Sequence, residues 1–186
     1  MLEWLEPPLP EPMATHFIQI FWGLLLVVLD FSINQIDILP DFLGYVLVAL
    51  GCRGLCDSSP RFSTAANLAW VMVVLAVVSL ANGGDSIAAF SYLCTAVDCA
   101  MMWFMLGGVI ALADSRQRPD LSQRASNRRV AYVAIVAIST LLGLMAHPRT
   151  GAEIGFMLAI AVIVVMCLIL HLIHRAIREL SDGPGW

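Results

Sequence analysis

The chain contains no lysine, and its ten basic residues are all arginine. Charged residues of either sign make up only 13%, against about a quarter in an ordinary soluble domain. Such a chain has too little polar surface to cover a soluble core. The net charge of −4 is too small to point to a polyanionic partner, and no basic patch alternates with aromatics, so nucleic acid is not an expected ligand. The five cysteines (Cys52, Cys56, Cys94, Cys99 and Cys167) form no CxxC pair and sit in or beside apolar runs. Cysteines so placed behave as small hydrophobes, so free thiols are expected rather than a disulfide framework. Catalytic signatures are missing as well: there is no GxSxG, HExxH, P-loop or glycine-rich dinucleotide turn. No enzymatic activity, cofactor or metal is expected on these grounds.

What the chain does have is apolar sequence. Of its 186 residues 60% are hydrophobic, and the mean hydropathy is +0.85. The apolar residues come in runs of near-spanning length, and a bilayer-spanning helix needs about 20 of them. The expected fold class is therefore all-α: an integral membrane helical bundle of about six transmembrane helices. The expected location is a plasma or bacterial inner membrane, with the lipid bilayer as the main partner.

Residues 1–14 are acidic, with four prolines among residues 7–12, and form an expected extended cytoplasmic tail. No basic region precedes an apolar core there, so a standard signal peptide is not expected. A single transmembrane domain follows over residues 15–181. The first span runs from Pro12 to Leu29, which is free of charge. A second begins near Pro40, whose fixed φ suits the first turn of a helix. Only Phe42 to Cys52 is uncharged, so residues 42–56 either cross fully or form a re-entrant segment. Gly44, Gly51 and Gly54 favour close helix packing. A third span covers Phe62 to Gly84, and a fourth covers residues 87–113 with Asp98 inside it. Residues 114–129 read as an Arg-rich cytoplasmic loop, Val130 to Pro148 as the fifth span, and Ala152 to about Ser181 as a sixth. Residues 182–186 are a C-terminal tail.

Charge tests this count. If the spans alternate, one side carries Arg53, Arg61, Arg116, Arg118, Arg124, Arg128, Arg129, Arg175 and Arg178, and the other carries only Arg149. That split is what the positive-inside rule predicts for two cytoplasmic termini. Dropping the second span would scatter the arginines over both faces.

The densest polar cluster lies between the first two spans. Asp30, Asn34, Asp37 and Asp41 fall at i, i+4, i+7 and i+11. On a continuous helix they share one face; in a tight hairpin they cluster at the outer mouth of the two spans. Carboxylates with an amide oxygen suit a hard cation such as Ca²⁺ or Mg²⁺, or a proton site. The simpler reading has Asp37 or Asp41 capping the second helix, with Asp30 at the membrane interface.

The same stretch carries a likeness. Ile36, Asp37, Leu39, Pro40, Asp41, Phe42, Leu43, Gly44 and Tyr45 resemble the signature I-D-x-L-P-D-F-I/L-G-Y of an uncharacterised family of small bacterial multi-pass membrane proteins. The likeness covers about 25 of the 186 residues, and it implies a membrane location and no particular activity.

Asp98 is the second feature. Ser91, Thr95 and Asp98 are spaced i, i+4, i+7 with Cys94 beside them, and Met101, Met102 and Met105 follow. This is a polar stripe on an apolar helix. A charged carboxylate near mid-bilayer costs at least roughly 2.5–3.5 kcal/mol, so it must be neutral, paired or facing a cavity. The plain alternative is an Asp that ties helices together by hydrogen bonds.

His171, His174, Arg175 and Arg178 share a face near the end of the last span and read as a cationic collar for anionic headgroups. Arg116, Arg118, Arg124, Arg128 and Arg129 do the same, or dock a cytoplasmic protein. Two functions remain: a non-catalytic structural or accessory membrane subunit, or a small cation- or proton-coupled permease using Asp98 and the outer acidic cluster. They differ in whether a water-accessible path reaches Asp98.

Overall fold

A computed structural model describes residues 13–29, 32–33, 36–37, 41–81, 88–145 and 151–181. Residues 1–12 of the expected N-terminal tail, the C-terminal tail, Asp30, Asn34, Pro40 and Arg149 lie outside these residues, while Met13 and Ala14 already belong to the first helix. The described chain is helical: α1 (Met13–Leu29), α2 (Asp41–Gly54), α3 (Pro60–Ala81), α4 (Ala88–Ser115), α5 (Pro119–Met145) and α6 (Gly151–Ser181). Between α1 and α2, strands β1 (Ser32–Ile33) and β2 (Ile36–Asp37) form a minimal antiparallel ladder pairing Ser32 with Asp37 and Ile33 with Ile36. The described residues between α1 and α2 thus pair as strands and do not continue a helix. Two β-branched residues pair in this ladder, where a pleated backbone suits them.

Three helices are long and apolar enough to cross a membrane, within Pro60–Ala81, Ala89–Ser115 and Ile160–Arg178. The other three fall short for separate reasons. Helix α1 is apolar but has 17 residues, and α2 has 14, about 21 Å at 1.5 Å per residue. Helix α5 has 27 residues, but its N-terminal half carries Arg124, Arg128 and Arg129.

Each helix packs on its neighbours in sequence, and α6 returns to pack on α1, so the six helices form a closed ring. Small residues set the α1–α2 spacing. A Cβ built at Gly44 would lie 2.7 Å from the Gly23 carbonyl oxygen, and one at Gly51 would lie 2.6 Å from the carbonyl of His16. Both are closer than real Cβ contacts, so the two backbones approach as they do in small-residue membrane packing.

The half of the ring that holds the arginines is filled. Phe17, Phe62, Met105, Ala125 and Ile173 are buried there, and Phe17 meets Phe62 edge-on with ring centroids 6.4 Å apart. Arg61 Nη1 donates to the Gly107 carbonyl at 3.1 Å, and the Arg129 guanidinium lies 3.4 Å over the Trp103 ring. These contacts tie α3, α4 and α5 at one level.

The expected Arg-rich loop over residues 114–129 is mostly helix. Helix α4 runs to Ser115, and α5 starts at Pro119. Gln117 has a φ of 56°. Its N–H donates to the Asp114 carbonyl at 3.0 Å, and the Arg118 N–H reaches back to Ala113 at 2.9 Å. This is a Schellman ending, which reverses the chain in few residues. Pro119 then supplies the first helical position, where its missing N–H is harmless. Ser59 and Pro60 repeat that logic at the start of α3, where the Arg61 N–H donates to Ser59 Oγ at 3.4 Å.

Candidate functional site

Asp98 sits about one third of the way along α4, on the face turned to the ring's interior. Two tyrosines from other helices meet its carboxylate. Tyr45 of α2 donates from its hydroxyl to Oδ1 at 3.5 Å. Tyr132 of α5 donates to Oδ2 in a short hydrogen bond. Both tyrosines are buried. A buried tyrosine hydroxyl needs a partner, and a carboxylate in apolar surroundings needs donors. The three residues satisfy one another across three helices.

The sequence stripe on α4 faces the same way. Cys94, Thr95 and Asp98 line a cavity of about 410 Å³, which Ser139 and Thr140 of the neighbouring α5 also line. Thr95 donates to the Ser91 carbonyl at 3.0 Å. Ser139 and Thr140 donate back to Ile135 and Val136 at 2.8 Å each. Their protons are thereby committed to the helix backbone, while each hydroxyl oxygen keeps lone pairs to offer. The cavity therefore presents a carboxylate and a set of acceptor oxygens, a surface for a cation or a proton-bearing group. Met101, Met102 and Met105, further along α4, are buried in the core.

A second cavity of about 270 Å³ lies nearer the start of α2. Asp41, Ser79 and Ser91 line it, and Tyr45, Met72 and Cys94 line both cavities. Two of the five acidic or amide residues expected at a site, Asp41 and Asp98, thus flank one tyrosine, with Tyr45 one helical turn from Asp41. Asp37 lies in β2. Asp30 and Asn34 are outside the described residues.

Among the described residues no three His, Cys, Asp or Glu side chains come together as a metal cage. All five cysteines are free. Neither tyrosine stands out in the sequence: Tyr45 lies four residues past Asp41 and Tyr132 three past Arg129, and nothing in either run points to a carboxylate on another helix.

No protein-family model matches the chain, and no curated protein or solved structure is significantly similar to it. The likeness of residues 36–45 to a multi-pass family thus rests on those residues alone.

Proposed function

We propose that the protein is a six-span membrane protein with both termini cytoplasmic, in which Asp98 binds and releases a proton or a small cation within a chamber open to the outer side. The observation that carries this reading is the polar cavity that reaches Asp98. A structural tie needs no such space, whereas a coupled permease requires a path to its carboxylate. The ring supports the same reading: it is filled at the arginine-bearing end and hollow at the other, as an outward-open chamber demands. Tyr45 and Tyr132 position the carboxylate and offer it protons, and Asp41 adds negative potential at the mouth. The two short helices α1 and α2 cross as a close-packed hairpin, with the local bilayer thinning to meet them.

The test is flux in proteoliposomes. An imposed pH or sodium gradient should drive proton movement, read by a trapped pH-sensitive dye. Asp98→Asn should abolish it, because Asn keeps the shape but cannot cycle a charge. Wild-type vesicles no leakier than protein-free ones would overturn the proposal.

A second reading has one observation in its favour. Both Asp98 oxygens accept from tyrosines, which ties α2, α4 and α5 as an accessory subunit would need. In that case Asp98→Asn retains full function and Asp98→Leu loses folding.

A further inference from the structure

At the opposite end of the molecule, α5 and α6 bring three arginines together. Arg128 lies on the same stripe of α5 as the buried residues Leu121, Ala125 and Tyr132. Its Nη1 is buried and has no hydrogen-bond acceptor among the described residues. A buried donor left without an acceptor is a costly arrangement. The charges that bear on Arg128 make it worse: Arg124, one turn earlier on α5, and Arg175 on α6 are both positive. Burial first, and then those two like charges, push the Arg128 guanidinium below its ordinary value. Like charges converging on a buried donor are relieved by an anion that sits among them.

Depth and surroundings say which anion. Trp103 is 37% exposed and stacks under Arg129, the next residue after Arg128. A half-exposed tryptophan paired with an arginine is the side-chain combination found at headgroup level. Toward the opposite end from there, α5 and α6 turn exposed apolar side chains outward: Val130, Ile138, Val164 and Leu168. An anion at Arg128 therefore has hydrocarbon-like surface beside it, which suits a molecule with a charged head and long chains.

We propose that the α5–α6 groove at Arg128, Arg124 and Arg175 binds the phosphate of an anionic phospholipid, with the acyl chains lying along the outer faces of the two helices. The half-buried Arg128 supplies its guanidinium beneath the phosphate, and Arg124 closes over it from the water side. Planar guanidinium groups suit phosphate oxygens in paired hydrogen bonds.

The experiment uses the full-length protein in zwitterionic detergent, with phosphatidylglycerol, phosphatidylcholine and inorganic phosphate as separate additions. Retained lipid is read by native mass spectrometry, and stability by thermal unfolding. Phosphatidylglycerol should bind and raise the unfolding temperature, while phosphatidylcholine and inorganic phosphate do neither. Arg128→Gln should weaken phosphatidylglycerol binding about tenfold, the loss expected for one charge-assisted contact. Arg53→Gln, at the exposed end of α2, should leave it unchanged. If Arg128→Gln does not fold, Arg124→Gln at its exposed position carries the test, with a loss of several-fold. Equal retention of the two lipids would overturn the proposal. So would equal protection by inorganic phosphate, or equal losses in the Arg53 and Arg124 variants.

Discussion

The Tyr132 hydroxyl donates to Oδ2 of Asp98 from the neighbouring helix, 34 residues along the chain. Tyr45 reaches the other oxygen more loosely, at 3.5 Å. The two contacts are unequal, and the inequality makes a prediction. Tyr132→Phe should destabilise the protein by about 1–2 kcal/mol, the upper range for a polar contact between membrane helices. Tyr45→Phe should cost less than half of that. Unfolding in mixed detergent micelles measures both, and equal losses would show that the carboxylate is shared evenly.

Close packing of α1 on α2 makes the second. The Gly23 and Gly44 backbones approach so closely that neither position has room for a methyl group. Gly44→Ala and Gly23→Ala should each destabilise by about 1–3 kcal/mol through overpacking. Leu50→Ala, at a side chain exposed on the outer face of α2, should change stability much less.

The α4–α5 turn makes the third. Gln117 holds a positive φ at the position where helices commonly end on glycine. Gln117→Gly should stabilise the protein by about 1 kcal/mol, since the left-handed conformation costs a side-chain-bearing residue roughly 1–2 kcal/mol. A loss of stability would mean that the glutamine side chain makes a compensating contact.

Topology makes the fourth. Reporter fusions after Ser115 and after Arg149 should report opposite sides of the membrane, with Ser115 cytoplasmic. Identical reports from both would contradict the six-span arrangement.

Much of this was legible in the sequence for physical reasons. The apolar runs announced helices, because runs of that length and composition have few other stable forms. Gly44 and Gly51 announced a close contact, since small residues at such spacing leave the backbone approachable. The inward stripe of Ser91, Cys94, Thr95 and Asp98 announced a polar interior. Less visible was the start of α5. Arg124, Arg128 and Arg129 read as a hydrophilic loop, because hydropathy measures affinity for water and not helicity. The turn at Gln117 carries no glycine to mark it. The tyrosine partners of Asp98 were hidden for another reason. Their register depends on how three helices rotate against one another, and no single span encodes that.

The central claim is that Asp98 faces a chamber reached by water and small cations from the side opposite the arginines. Cys94 lines both cavities and serves as a native probe. The variant with Cys52, Cys56, Cys99 and Cys167 replaced by alanine retains it as the one thiol. In sealed, oriented vesicles, a small cationic methanethiosulfonate reagent added on the outer side should modify Cys94. It should react faster than its anionic counterpart, and Asp98→Asn should remove most of that preference. No modification of Cys94, or equal rates for the two reagents with Asp98 in place, would contradict the account.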